Sequence, residues 1–540
     1  MVWFKKAFDW IVQLSEKDPP YRFSISPEAQ ATDAPTTLDK TLSKQSSTQP
    51  QHDHALPKDP MDQVKYIAKL LHHPRNSDIL IEERTAASGQ LFHLIYSQII
   101  TDLIGIQRYL LEPLSKVSTW CDTAQDLATM IPCSGIMITE ELDELADGVV
   151  EGKVVVLLGA STALLCPFAN YQSRNVGQAI NETVVRGPQE GFTENISYNM
   201  SILRRTIGCR DLVFDSRTLQ DVAETKVSIA FMAHLANPRL IKEIHRRLDH
   251  CDHVPIIISG IISQFIEDHP KSLFPTISYT ERPDVVARCI SSGQVAILVS
   301  NQNQVLIMPA PFIFQLSTAE DLYLRSTSAN FLRAIRFIAF SIALLAPSIY
   351  VGLINFQQEM IPSDLLLAMK AARLNIPFPT LVEVLLLEVS FELIREASIR
   401  VPQVIGSTIG IVGALIIGQA AVEANLVSPI VVIIVSVTGL GSFAIPNQEI
   451  AFAVRILRFV FLLSSSLFGF LGIAVVFSMT VLHLASIYTV GVPYLTPLSP
   501  YRKNEEGFLR RSVLTYESFP LSFRTQKSQA GDSTSGSANS

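Results

Sequence analysis

Residues Gly152–Phe168 have the sequence GKVVVLLGASTALLCPF, two apolar, β-rich runs joined by a turn that contains a glycine. Short apolar runs bounded by turn residues are typical of paired strands in a buried sheet. The segment Gly293–Pro311, GQVAILVSNQNQVLIMPAP, has the same pattern with a polar turn at residues 301–304. The two segments predict a strand pair in each of two α/β subdomains.

The chain around these segments has the composition of a globular protein from Met61 to about Thr327, which is enough for about two domains. Helices are predicted in MDQVKYIAKLLHH (61–73), in QLFHLIYSQIITDLIGIQRYLLEPL (90–114) and from Asn237-Pro238 onward. Strands are predicted at DILIEE (78–83), DLVFDSRTL (211–219), KVSIAFMAHL (226–235) and VPIIISG (254–260). We assign residues 61–200 to the first subdomain and residues 201–330 to the second.

Composition and charge exclude some classes of function. The net charge is -7 and no long block of lysine and arginine is present, so the sequence offers no electrostatic footprint for a nucleic acid. The six cysteines are irregularly spaced and include no Cys-x-x-Cys pair, which favours free thiols in a reducing compartment. We therefore expect the soluble part of the chain to be cytoplasmic.

Both ends of the chain differ from this globular region. Residues 1–18 are too charged for a secretory signal and predict a short amphipathic segment that rests on a membrane. Residues 19–60 are rich in Ser, Thr, Gln, Asp and Pro, which predicts a disordered linker. Residues 498–540 are predicted to form a polar, partly disordered tail.

The part of the chain after Arg336 contains four runs without charged residues. Three have about the twenty-residue length that a spanning helix needs: Phe337–Gln357, Gln403–Val422 and Leu426–Gln448. The fourth, Phe459–Tyr501, is long enough for one span and a second, shorter crossing or re-entrant piece. These runs predict a transmembrane domain of about 5–6 helices over residues 331–497. The flanking clusters of arginine and lysine favour about six crossings with both termini inside.

One stretch within this domain is unusually acidic. Glu383–Arg400 has the sequence EVLLLEVSFELIREASIR, with glutamates at Glu383, Glu388, Glu392 and Glu396. On a helix, Glu388, Glu392 and Arg395 share a stripe, and Glu396 lies beside it. A carboxylate at the bilayer centre costs about 3 kcal/mol on insertion scales, so these side chains are expected to face water, protein or an interface. Arg395 is placed to neutralise Glu392 or Glu388.

The next helix is predicted to carry a stripe of small residues at every fourth position: Gly406, Gly410, Ala414 and Gly418. Such a stripe allows helices to approach closely, so packing is the simplest interpretation. A second interpretation concerns the other face of the same helix, which includes Val404 and would line a narrow apolar gate.

A loop in the soluble region also has a distinctive sequence. In VVRGPQEGFTEN (184–195), two glycines and a proline bracket charged residues, which predicts a fixed loop before a helix that starts at about Ile196. It is either a structural turn or a contact between subunits, and its candidate contact residues are Arg186, Gly187, Pro188, Glu190, Gly191 and Glu194.

No catalytic or cofactor site is predicted. The segment LLGASTALL (157–165) has the small residues of a phosphate loop but lacks the lysine that would reach a phosphate. The sequence HCDH (250–253) offers metal-ligand residue types without a partner pair at a suitable spacing. We therefore expect neither an enzyme nor a bound metal.

Five separate blocks of the sequence resemble the A subunits of GerA-type spore germination receptors. They are VVRGPQEGFTENISYNMSILRR, YTERPDVVARCISSGQVAILV, PSIYVGLINFQQEMIP, PFPTLVEVLLLEVSFELIREASIRVP and IGSTIGIVGALIIGQAAVEANLVSP. The likeness extends from about Met61 to about Pro497. It implies two related cytoplasmic α/β subdomains followed by a polytopic helical membrane domain in the spore inner membrane. It also implies a transporter-like B subunit, which is thought to bind the germinant, and a lipoprotein C subunit as partners.

The resemblance further implies that A subunits form a homo-oligomer that acts as a germinant-gated ion channel. In a symmetric oligomer each glutamate of the acidic stretch becomes a ring, which concentrates monovalent cations and predicts cation selectivity. Three roles for the stretch are open: a pore or vestibule lining, an amphipathic helix on the lipid surface, and a salt bridge to a partner subunit. The alternative function is a non-conducting scaffold that assembles and couples receptor complexes.

Overall fold

A computed structural model of the 540-residue chain describes most of the region between Leu56 and Tyr501. The described residues are 56–57, 59–116, 124–158, 162–171, 179, 181–219, 224–253, 258–400, 418–501, 507–510, 523 and 525. The segments predicted to be the amphipathic start and most of the linker and tail therefore lie outside the described residues.

Two five-stranded antiparallel sheets form the first half of the described chain. The first sheet contains β1 Ile79–Thr85, β2 Leu91–Ser97, β3 Met137–Thr139, β4 Val154–Leu157 and β5 Ala163–Cys166, in the order β1-β2-β4-β5-β3. The second contains β6 Leu212–Leu219, β7 Thr225–Met232, β8 Ser278–Thr280, β9 Val295–Val299 and β10 Val305–Met308, in the order β6-β7-β9-β10-β8. The order is the same in both sheets, so the two α/β subdomains share one topology.

The two strand pairs predicted from the sequence are confirmed. β4 pairs with β5 and β9 pairs with β10, each antiparallel. Every residue of β4 is buried: Val154 and Val156 belong to one apolar cluster, and Val155 and Leu157 to the cluster on the opposite face. Because alternate residues of a strand face opposite sides of the sheet, burial on both sides requires helices on both faces.

Helices cover both faces of each sheet. Those of the first subdomain are α1 Pro60–Leu70, α2 Leu103–Gly105, α3 Glu112–Lys116, α4 Ala124–Met130 and α5 Leu142–Val150, with a π-helical turn, Ile106–Leu111, between α2 and α3. Those of the second are α6 Ile196–Ile207, α7 Pro238–Leu248, α8 Ser259–Ile266 and α9 Pro283–Ser291, with a 3₁₀ turn at Asp249–His253. Proline occupies the first turn of α7 and α9. The N–H groups of a first turn have no acceptor within the helix, so the N–H that proline lacks costs no hydrogen bond.

One prediction of secondary structure is wrong. The apolar run predicted as the start of a helix at residues 90–97 is the strand β2, which pairs with both β1 and β4. A short apolar run does not by itself distinguish a strand from a helix. Residues 254–257 of the predicted strand VPIIISG lie outside the described residues, and its last two residues, Ser259 and Gly260, begin helix α8.

A buried ion pair joins the two subdomains. Arg204 of α6 donates to the Asp78 Oδ2 atom from Nη2 at 2.8 Å and from Nε at 3.2 Å, and neither side chain is exposed to solvent. Beside it, the Ser77 amide donates to the Phe214 carbonyl at 2.8 Å. The first subdomain is thus fixed to the edge strand β6 of the second.

A helical bundle follows the second sheet. Two short helices, α10 Phe312–Gln315 and α11 Glu320–Tyr323, form a connector to α12 Ser326–Asn355, α13 Ser363–Ala371, α14 Thr380–Arg400, α15 Pro429–Phe443 and α16 Gln448–Ser486, with a 3₁₀ turn at Gln358–Met360. Residues 418–423 are also helical. Among the described residues, α12 and α16 are long and apolar enough to cross a membrane, and α15 is a shorter apolar helix. A two-strand ribbon, β11 Tyr488–Thr489 and β12 Val492–Pro493, closes the region.

Helix α16 is a hairpin with its bend at Gly469. This residue has φ 59° and ψ -140°, outside the helical region. A Cβ placed on Gly472 would overlap the carbonyl oxygen of Ser464, although residues eight positions apart in a straight helix are separated by about 12 Å. The two limbs, residues 448–468 and 470–486, are about 30 Å and about 25 Å long. The predicted second crossing or re-entrant piece within Phe459–Tyr501 therefore corresponds to the returning limb.

Contacts at the helix ends give the direction of each helix. Near its start α12 pairs with the connector through Arg333 and Arg336, which both contact Asp321, and it ends where Asn355 accepts a hydrogen bond from Thr380 of α14. Helices α14 and α15 run parallel, because Glu383 contacts Ser428 at one end and Arg395 contacts Ser442 at the other. The bundle thus has a sheet-side end and a distal end.

Candidate functional site

A layer of buried charges joins α14 to the first limb of α16. Arg458 places Nη1 3.1 Å from the Glu388 Oε2 atom and donates from Nη2 to the Glu392 Oε1 atom at 2.9 Å. Arg455 donates to the other oxygen of Glu392 at 3.1 Å. Glu388 and Arg458 are both almost completely buried, so this pair has no bulk water to screen it.

The layer continues to the sheet-side end of α14. Arg395 lies 3.7 Å from Glu392, donates to the Ser442 hydroxyl, and packs 4.4 Å from the centre of the Phe443 ring. Glu396, the next residue, is exposed. Of the four glutamates in the acidic stretch, Glu396 is therefore the one that the fold places on the outer surface of the bundle.

The fourth glutamate, Glu383, lies at the distal end. Its Oε1 atom accepts a hydrogen bond from the Ser428 amide at 2.7 Å, which satisfies a donor at the N-terminus of α15. Arg373 approaches its other oxygen at 3.6 Å, and the Glu383 side chain is completely buried. Glu383 thus fixes the start of α15 against α14.

Glu383 and Glu388 are buried within protein, which is one of the environments expected for these acids, and a pore-lining role stays a prediction. Their partners Arg455 and Arg458 are not among the residues predicted for this site. A usable signal was present, because Arg455 and Arg458 lie three positions apart and Glu388 and Glu392 lie four apart. Both spacings put a pair of charges on one helix face.

The predicted small-residue stripe lies largely outside the described residues, which exclude Val404, Gly406, Gly410 and Ala414. Gly418 is described, and a Cβ placed on it would lie 3.6 Å from the Val432 side chain, an ordinary contact. The roles of this stripe in packing or gating remain predictions.

The predicted subunit-contact loop makes many contacts within the chain. The Pro188 carbonyl accepts a hydrogen bond from Arg282 at 3.0 Å, and Glu190 pairs with Arg205. Gly187 has φ 121° and abuts the Tyr323 ring, and Gly191 is buried, whereas Arg186 and Glu194 are exposed. Asn195 caps α6 by accepting from the Ser197 amide at 2.9 Å. Arg186, Gly187, Pro188 and Glu194 are thus the candidate residues of this loop that are exposed to solvent.

The sheet-side end of the hairpin packs against the second subdomain through polar groups that the sequence analysis missed. Ser272 and the His483 Nε2 atom are 3.1 Å apart, and Asn447 donates to Gln315 of the connector at 3.1 Å. Glu267 is largely buried here and accepts a hydrogen bond from the Thr276 amide. Burial, together with the charges of Glu449 and Asp268, raises the pKa of Glu267 to about 7.

Glu267 should make the stability of the chain depend on pH. The native state keeps this proton up to a pKa of about 7, whereas the ordinary pKa of a glutamate is 4.5, so the free energy of unfolding should fall as the pH rises between these values. Glu267→Gln keeps the shape without the charge and should be more stable than wild type above pH 7, by up to about 3 kcal/mol. Thermal unfolding of the detergent-solubilised full chain across this range measures the difference.

The control for this measurement is Glu140→Gln, which changes an exposed glutamate. It should follow the wild-type curve at every pH. A stability difference for Glu267→Gln that stays constant from pH 4.5 to pH 7 would show that Glu267 does not titrate in this interval.

The chain thus has two α/β subdomains of one topology joined to a helical bundle with a buried charge layer. Among the described residues, two helices of this bundle are long and apolar enough to cross a membrane. The chain belongs to the GerA family, since the family described as Bacillus/Clostridium GerA spore germination protein matches residues 65–521.

Named relatives are similar over most of their length. Spore germination protein KA of Bacillus subtilis (strain 168) is 37% identical over 79% of this chain and 79% of its own. The uncharacterized membrane protein YfkQ of the same organism is 34% identical over 84% of this chain and 90% of its own. The crystal structure of the N-terminal domain of the A subunit of the Bacillus megaterium spore germinant receptor GerK3 is 27% identical, covers 48% of this chain and 97% of that one, and gives a TM-score of 0.37.

Proposed function

We propose that this chain is the A subunit of a nutrient germinant receptor in the spore inner membrane and that copies of it form a germinant-gated cation channel. Family membership supports the receptor role, because several relatives, such as spore germination protein KA, are named spore germination proteins. A transporter-like B subunit and a lipoprotein C subunit are the proposed partners, and the soluble subdomains lie on the cytoplasmic side.

The helix directions support a multi-pass arrangement. In the proposed arrangement helices α12, α14 and α15 and the two limbs of α16 make five crossings. The apolar run Gln403–Val422, which lies mostly outside the described residues, is predicted from its sequence to make a sixth between the parallel helices α14 and α15. An even number of crossings returns the chain to the sheet-side end. This agrees with the contact of Arg510, which follows the hairpin, with the Asp321 carbonyl of the connector at 2.6 Å.

The observation that carries the channel proposal is the exposure of Glu396 at the sheet-side end of α14. A carboxylate on the outer face of a membrane bundle has to face water or another subunit rather than lipid. In a ring of copies, Glu396 would line the cytoplasmic vestibule and concentrate cations there. Glu383, Glu388 and Glu392 would instead hold α14 in place.

The test is ion flux through liposomes that contain this chain with its B and C partners, before and after a germinant is added. Glu396→Gln should lower the permeability ratio of cations to anions by roughly an order of magnitude, because it removes one carboxylate from every copy in the ring. Glu359→Gln, an exposed glutamate at the distal end, is the matched control and should leave this ratio unchanged.

Glu388→Gln and Glu392→Gln separate selectivity from structure. If these two variants change selectivity while Glu396→Gln does not, the vestibule assignment is wrong and the paired glutamates line the path. If all three assemble and conduct like wild type, the acidic stretch has no part in selectivity.

One observation favours a second function, a non-conducting scaffold that assembles receptor complexes. Glu383, Glu388 and Glu392 pair with arginines of the same chain, as a purely structural layer requires. An assembled complex that stays impermeable with every germinant tried would support the scaffold.

A further inference from the structure

A cavity of about 260 Å³ lies where the second sheet meets the helical bundle. Its walls come from residues 181–184, from β8 and α9, from residues 314–319 of the connector, and from Pro446 and Asn447 just before the hairpin. Cavities between structural units are the usual place for small-molecule sites. This one is bounded by both the soluble region and the bundle.

Arg288 of α9 supplies a positive charge to the cavity wall. Its Nε atom is buried and makes no hydrogen bond to any described residue, and its guanidinium lies 5.7 Å from the centre of the Phe314 ring. A buried N–H without an acceptor costs about 1–3 kcal/mol, so an acceptor placed in the cavity would recover that loss. The planar guanidinium fits a carboxylate in particular.

The other charges of the wall are already balanced. Arg282 makes two hydrogen bonds to Asp284, at 3.1 Å and 2.8 Å. Glu182 accepts hydrogen bonds from the Thr280 hydroxyl at 2.7 Å and from the Glu281 amide at 3.4 Å, and the positive charge of Arg282 acts on its carboxylate. Arg288 is therefore the charge that a ligand would meet.

The remaining wall is suited to an apolar body. Val184, Val285, Phe314 and Pro446 contribute carbon surface around Arg288. A ligand that consists of one carboxylate and a compact apolar group would satisfy both parts of the wall. The volume limits that group to about the size of a single ring.

We propose that this cavity binds a small organic carboxylate, with its anionic group on Arg288 and its apolar body against Phe314. Asn447, which lines the same cavity, also caps the hairpin by accepting from the Glu449 amide at 2.9 Å. Occupancy would therefore act on the residue that caps the N-terminus of α16. The site goes beyond the germinant-receptor role and does not depend on ion conduction.

The test is fluorine NMR line broadening of 4-fluorobenzoate on addition of the purified full-length chain in detergent, with 4-fluorobenzamide as the uncharged control. The carboxylate should bind and the amide should bind at least about tenfold more weakly, because the charge-assisted pair with Arg288 is lost. Arg288→Met should weaken carboxylate binding to a similar extent. Arg239→Met, which changes an exposed arginine outside the cavity, should not.

Two further variants make each result decisive. Arg288→Lys keeps the charge and should retain part of the binding, whereas Ala319→Leu fills the cavity without touching a charge and should abolish it. If Arg288→Met fails to fold, Ala319→Leu decides the outcome. Equal binding of acid and amide, unchanged binding in Ala319→Leu, or no wild-type broadening up to about 10 mM ligand would overturn the proposal.

Discussion

Replacing Arg458 with methionine is expected to destabilise the bundle by about 3–5 kcal/mol, because it leaves the Glu388 carboxylate buried without its counter-charge. The pair is 3.1 Å apart and each side chain is 1% exposed, so water cannot take over the role of the arginine. Chemical unfolding of the detergent-solubilised full chain measures the loss.

The double variant distinguishes a charge effect from a packing effect. Arg458→Met combined with Glu388→Leu removes both charges and should recover most of the stability, since a buried pair can often be replaced by apolar residues without loss. If the double variant is as unstable as Arg458→Met alone, the missing volume rather than the unpaired charge is responsible.

Arg455→Met is the matched control within the same helix. Arg455 pairs with Glu392, which keeps Arg458 as a second partner at 2.9 Å. Its removal should therefore cost much less than the removal of Arg458, about 1 kcal/mol. Equal losses for the two arginines would contradict the assignment of Arg458 as the central cation of the layer.

The residues of this layer show how far the sequence predicts the site. The four glutamates predict that the face of α14 avoids lipid, because the cost of a carboxylate in hydrocarbon is a local property of the residue. The partners are not local: Arg458 lies 70 positions after Glu388 and meets it only through the packing of α14 against α16. One sequence by itself does not show which residues so far apart along the chain come into contact.

In the fold, too, local features are predictable from the sequence and long-range pairing is not. The strand pairs around Val154–Leu157 and Val295–Val299 are predictable, because short, fully apolar runs with turn residues between them favour adjacent strands. The run Leu91–Ser97 is equally apolar but is flanked by a helix-like sequence, and it is a strand because β1 and β4 pair with it on both sides. The secondary structure of such a segment is determined by its pairing with neighbouring strands, and the periodicity of its sequence does not predict it.

Replacing Gly469 with alanine is the second change with a large expected effect, a loss of about 3 kcal/mol in the stability of the bundle. Gly469 has φ 59° and ψ -140°, a conformation that residues with a side chain rarely adopt. A Cβ there would also lie 2.9 Å from the Cβ atom of Phe356, just beyond the end of α12. Backbone strain and a steric clash therefore act in the same direction.

Unfolding of the full chain and its co-purification with the B and C partners measure this effect. Gly418→Ala is the control, since its new methyl group would make only an ordinary contact with Val432. It should change stability by less than about 1 kcal/mol. A Gly469→Ala variant as stable as Gly418→Ala would show that the bend does not need glycine.

The bend at Gly469 positions two limbs that make separate contacts. The first limb carries Arg458, which pairs with α14, and the second limb carries His483, which contacts Ser272 of the soluble region. A change in the angle at Gly469 would move one limb relative to the other, so both contacts cannot be kept. Gly469→Ala should therefore also weaken the attachment of the soluble region, seen as faster proteolysis of the chain between the second subdomain and the bundle.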